Sequence, residues 1–157
     1  MSLSEVSNVL WRERFLLELL AFKLEEEQLV AASQRGRWVD RAAHEVEVIL
    51  GEIKRMELER AVAAVGARAE LGLEDPPSLR ELAAVGPPPW NRIFADHRRA
   101  LLTLAEELAA FTEPDGDLPR GHRAARTALA ALEDLDTHGR PIPPSGRWVR
   151  RSVDESV

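Results

Sequence analysis

The chain has no cysteine and no tyrosine, and only 4 tryptophans and 4 phenylalanines among its 157 residues. Without cysteine, neither a disulfide framework nor a thiolate metal site can contribute, which suits a reducing compartment. Long apolar runs are missing as well. No window approaches the roughly 18 uncharged apolar residues of a membrane span, and the start MSLSEVSNVL lacks the basic segment and apolar core of an export signal. The expectation is a cytoplasmic chain with no membrane insertion. A formal net charge of -6 argues against nucleic acid as a partner, because phosphate binding needs clustered positive charge.

Strand patterns are absent too. Apolar residues recur every three or four positions rather than every two, and Ala, Leu, Glu and Arg dominate, so the expected class is all-α. A first helix is predicted over residues 4–34, stopped by Arg35-Gly36-Arg37, and a second from Val39 to Gly72. The second repeats Val39, Ala43, Val46, Leu50, Ile53, Glu57, Arg60, Ala64, Ala67, Leu71 in alternating steps of four and three. Each would exceed about 45 Å at 1.5 Å per residue, and so short a connection forces an antiparallel hairpin. Ser78 and Glu81 spell a capping box for a short helix closed by Gly86 and Pro87 to Pro89. A third long helix follows, with the seam Trp90, Phe94, His97, Leu101, Leu104, Leu108, Phe111.

Beyond TEPDGDLPRG a weaker helix is expected over residues 120–136, with mostly small apolar residues. Burial would hold it with far less than the roughly 1.5–3 kcal/mol per large side chain available elsewhere. The organisation read from the sequence is one elongated helical-bundle domain, residues 1–136, and a flexible, disordered C-terminal tail, residues 137–157.

Catalytic constellations are also lacking. A di-iron bundle needs Glu-x-x-His pairs, yet Arg41, Phe94, Pro119 and Leu135 stand three residues before the 4 histidines, His44, His97, His122 and His138. His44 has no second histidine of a zincin motif, and no glycine-rich phosphate loop exists. No cofactor, metal or enzymatic activity is expected. His97 on its seam reads as a core or rim histidine with a hydrogen-bond partner, and Glu57 with Arg60 as a pair on the seam of the second helix.

What is present is an excess of apolar surface on the first helix, around FLLELLAFKLEEEQLV. At about 100° per residue, Val6, Leu10, Leu17, Leu20, Ala21, Leu24 and Ala31 make one stripe. Trp11, Phe15, Phe22 and Leu29 make a second, roughly 140° away, with Glu18 and Glu25 separating the two on one side and Lys23 and Glu27 on the other. The second stripe is either covered by another helix of the chain or is a groove for a partner's helix. Leu129, Leu132 and Leu135 of the weaker helix are further candidates for partner contacts. Trp148, among arginines in the tail, is a candidate docking residue.

Leu24-Glu25-Glu26-Glu27, Gly36 between the helices, Glu57-x-x-Arg60, Leu71-Gly72-Leu73, Pro77-Ser78-Leu79, and Pro89-Trp90 opening a helix with Asp96-His97-Arg98 together resemble the flagellar export chaperone FlgN family in its actinobacterial-type form. The resemblance covers roughly residues 5–111. It implies a cytoplasmic, non-enzymatic chaperone that binds C-terminal helices of the flagellar hook-associated (hook-filament junction) proteins. Such a chaperone prevents their premature assembly and delivers them to the type III export apparatus. The chain departs from the family at its end, where members commonly carry a tyrosine linked to docking at the export gate; His138-Gly139 stands about there, and Trp148 is the tail's aromatic. The reading that competes on periodicity alone is a helical adaptor or dimerisation protein with no export role.

Overall fold

The computed structural model describes residues 2–34, 36–113 and 116–130 of the chain. They form five helices: α1 (Ser2–Ala32), α2 (Gly36–Leu71), α3 (Leu79–Val85), α4 (Trp90–Thr112) and α5 (Arg120–Leu129). The all-α expectation holds, with a long hairpin, a third long helix and a short C-terminal one. The domain boundary expected at residue 136 and the whole of the expected tail lie outside the described residues.

The hairpin is antiparallel, as its polar pairs show. Leu3 N–H donates to Glu70, Arg12 pairs with Glu59, Glu13 with Arg60 and Lys23 with Glu45, so partners on α2 descend as positions on α1 rise. The turn is made earlier than the glycine suggested. Gln34 takes the left-handed conformation (φ 58), Ser33 N–H closes on Leu29 O at 3.0 Å, and Gly36 opens α2 instead of ending α1. At the far end Gly72 (φ 67) lets Leu73 N–H reach Arg68 O at 3.0 Å, a left-handed terminator that disfavours any residue with a Cβ.

The capping box at the start of α3 forms where its spelling places it. Ser78 accepts from Glu81 N–H and the Glu81 carboxylate accepts from Ser78 N–H. α3 packs on α4, and α4 runs parallel to α1: His97 lies against Ser7 and Trp11, while Phe111 meets His122 at the end that receives α5. The core joins Leu3, Val6, Leu10, Leu17, Leu20 and Leu24 of α1 to Val46, Ile53 and Ala67 of α2 and Phe94, Leu101 and Leu108 of α4. Each large side chain so buried contributes about 1.5–3 kcal/mol.

α5 is held differently. Of its apolar residues Ala125 is fully buried and Leu129 half-buried against the core, while polar contacts fix both of its sides. Glu27, expected on a flank of α1, is 1% exposed. Its carboxylate accepts from the N–H groups of Gly121 (2.8 Å) and His122 (2.9 Å) and lies 2.5 Å from His122 Nδ1. The first turn of α5 has no capping side chain of its own, so α1 supplies the acceptor that an N-cap residue would otherwise provide. In return, Arg126 donates to Thr112 O through Nε (2.8 Å) and Nη2 (2.6 Å), satisfying a carbonyl in the last turn of α4. Arg120 pairs with Glu47 and Asp40 of α2. The expectation of a weakly held helix counted apolar burial only; this polar latch is the part that apolar spacing does not reveal.

Candidate functional site

The two stripes of α1 have opposite fates. Val6, Leu10, Leu17, Leu20 and Leu24 are buried, whereas Trp11, Phe15, Phe22 and Leu29 are 55%, 65%, 59% and 65% exposed. Neither α4 nor α5 covers the second stripe. It extends over about 27 Å of helix at 1.5 Å per residue, and an apolar row of that length is uncommon on a free surface.

Trp11, the first residue of the stripe, also lines a groove between α1 and α4. This open depression of about 800 Å³ is lined by Trp11, Arg14 and Glu18 on one wall and by residues of α4 from Ile93 to Glu107 on the other. One end is built around His97, which is 1% exposed. Arg14 Nη1 lies 3.4 Å from His97 Nδ1, and Ser7 Oγ lies 3.0 Å from Nε2. A guanidinium can only donate, so Nδ1 accepts and the ring proton sits on Nε2, directed at Ser7. Burial, reinforced by the Arg14 charge, pushes the imidazole down to about 4, in keeping with that neutral tautomer. Trp11 meets the ring edge-on at 4.9 Å and takes the Arg14 guanidinium over its face at 4.1 Å. His97 is thus the hydrogen-bonded core histidine expected, and it also fixes Trp11 and Arg14 at the mouth of the groove.

Behind the groove, Glu13 faces α2. Its Oε2 is 3.0 Å from Arg60 Nη1, while Oε1 is buried without a partner. Burial outweighs the Arg60 charge, and neighbouring Glu57 adds to it, so the carboxyl is pushed up to about 7. Arg60 therefore pairs across the hairpin, not with Glu57 one turn away as the spacing suggested. Glu57, half-buried, is itself raised by burial.

Leu129 packs on the protein's own core at half burial; Leu132, Leu135 and Trp148 lie outside the described residues. His44 is exposed on α2. Among the described residues no group of three or more metal-ligating side chains forms, and no helix is long and apolar enough to cross a membrane. The pairing of Glu27 with Gly121 and His122 is not visible in local spacing. Half of its signal is the place of Glu27 three residues after Leu24 and seven after Leu20, in line with the core. The other half is a helix start, Pro119-Arg120-Gly121, with no capping residue of its own.

No curated protein and no solved structure matches the chain. A family model does, the FlgN protein family, over residues 1–117, which takes in α1 to α4 and stops short of α5. Matched over most of its length, the chain belongs to the FlgN family, the cytoplasmic, non-enzymatic chaperones of flagellar assembly that serve export of the hook-associated proteins.

Proposed function

We propose that the exposed row Trp11, Phe15, Phe22 and Leu29, with the adjoining α1–α4 groove, is the surface on which this chaperone holds its client, and that the client element is a C-terminal amphipathic helix of a hook-associated protein. The observation that carries the reading is the exposure of three large aromatics on a helix whose other stripe buries Val6, Leu10, Leu17, Leu20 and Leu24. A helix that polymerises through its apolar stripe must have that stripe covered before export, and a rigid helical face can cover it without nucleotide hydrolysis. The row repeats at 11, 15, 22 and 29, spacings that an antiparallel or parallel client helix can follow over several turns.

Titration of a C-terminal segment of the cell's own hook-associated proteins into the full-length chain tests this by calorimetry. The expected complex is one to one with micromolar or tighter affinity, about -8 kcal/mol. Phe15→Ser with Phe22→Ser should abolish it at unchanged helicity; undiminished binding by that variant would remove the stripe from the site. Leu129, Leu132 and Leu135 are proposed as additional client contacts and Trp148 as a contact to the export gate. Leu132→Asp and Trp148→Ala, assayed for client and gate binding respectively, check them.

The finer assignment, to an actinobacterial-type member, rests on Pro89-Trp90 at the start of α4 and Asp96-His97-Arg98 one to two turns on. The same words at the same spacing in actinobacterial FlgN sequences, and their absence from other members, would support it.

A further inference from the structure

The charges beside the stripe are unbalanced in one direction. α1 carries three cations: Arg12 pairs with Glu59 and Lys23 with Glu26 and Glu45, while Arg14 lies over Trp11 and against the neutral His97 and keeps its charge at the groove. Three of its acids are used as well, Glu13 with Arg60, Glu26 with Lys23 and Glu27 with α5. Glu5 stands apart, on the side of the helix that carries Arg12 toward α2. Glu18 and Glu25 remain, exposed and in no ion pair among the described residues. They are not scattered. At about 100° per residue Glu18 falls between the aromatic row and the α4-facing line of Ser7 and Arg14, where it lines the groove, and Glu25 follows two turns on along the same side of the row. The opposite wall repeats the pattern, since Arg99 pairs with Asp96 while Glu107, exposed, has no ion pair among the described residues.

The geometry points to a docking groove that selects a client helix with a basic flank: an apolar stripe laid on Trp11, Phe15 and Phe22, with lysine or arginine along one edge facing Glu18, Glu25 and Glu107. This rests on the client-docking reading above and adds the charge of the partner to it. Glu18 and Glu25 outnumber Arg14 beside the row and Glu107 is in no ion pair on the opposite wall, which raises the cost of seating an acidic helix, so the same three glutamates attract one class of partner and repel another. A second copy of the chain is a poor occupant, because it would bring Glu18 and Glu25 against a row of the same sign.

The test uses the full-length chain and the same client segment. Glu18→Lys with Glu107→Lys should weaken binding by roughly tenfold, as expected for two partly exposed ion pairs turned repulsive, and exchanging basic residues of the client for glutamate should restore it. Glu18→Gln with Glu107→Gln should flatten the fall in wild-type affinity with rising salt. Glu18, Glu107, Phe15 and Phe22 are all exposed, so circular dichroism should be unchanged in every variant. Wild-type affinity and salt dependence in both charge variants, with binding lost in Phe15→Ser with Phe22→Ser, would overturn the charge inference and leave the docking surface standing. Retained binding in the aromatic variant would overturn both. Sedimentation of the free chain as a dimer that the aromatic variant dissociates would assign the face to a second copy and overturn the inference.

Discussion

Glu27 and Gly121, 94 positions apart, meet so closely that a Cβ on Gly121 would stand 2.5 Å from Glu27 Oε2. The glycine is required there for closeness of approach to the carboxylate, with no left-handed backbone involved. Gly121→Ala should therefore detach α5, and hydrogen exchange should show its amides losing protection while α1, α2 and α4 keep theirs. Glu27→Ala should do the same by leaving two buried N–H groups without an acceptor, at a cost of about 1–3 kcal/mol.

Glu13 makes the hairpin sensitive to alkali. Its carboxyl is raised from 4.5 to about 7 in the folded protein. The folded state thus binds the proton more tightly than the unfolded chain, and the stability this gives is complete below about 4.5 and lost as pH rises through about 7. Glu13→Gln keeps the shape and cannot ionise. Urea unfolding should find it more stable than wild type above neutral pH, by on the order of 3 kcal/mol, since each tenfold change in proton affinity is worth about 1.36 kcal/mol. The advantage should vanish in acid.

His97 works in the other direction. Lowered from 6.5 to about 4, it binds its proton more tightly in the unfolded chain, so its contribution is intact above about 6.5 and lost as pH falls through about 4. His97→Gln should flatten the acid limb of the stability profile over that window. Because His97 also fixes Trp11 and Arg14, the same variant should weaken client binding at neutral pH, which separates it from a purely structural change elsewhere in the seam.

The two faces of α1 should separate cleanly under mutation. Leu20→Ala opens a cavity at a fully buried position and should cost about 2–5 kcal/mol. Phe22→Ala, two residues on and 59% exposed, should change stability by less than about 0.5 kcal/mol. Thermal melts of the pair check both values at once.

The helices are legible in the sequence because their seams repeat without a slip. Phe94, His97, Leu101, Leu104 and Leu108 are all buried, and the Ser78–Glu81 box forms as spelled. The aromatic row is legible as a second face, although periodicity does not say whether another helix of the chain covers it. What escapes are contacts between residues remote in sequence: Glu27 with Gly121 and His122, Arg60 with Glu13 in place of Glu57, and Arg126 on the end of α4. A local pattern reports which face a residue occupies, and Glu27 does fall in line with the core. It does not report which amide will arrive to satisfy a charge buried there.

The latch has a consequence for the order in which the chain is made. Glu27 leaves the ribosome long before Gly121, so α1 to α4, the part matched by the family, can assemble while the carboxylate still faces water. α5 then joins after them, and because α4 is already in place the closure spans only the short connection from Thr112 to Arg120. The nascent chaperone thus has a finished body, aromatic row included, before α5 docks, and that helix seals the turn end of the bundle by joining Glu27 of α1, Glu47 of α2 and Thr112 of α4 in a single late step.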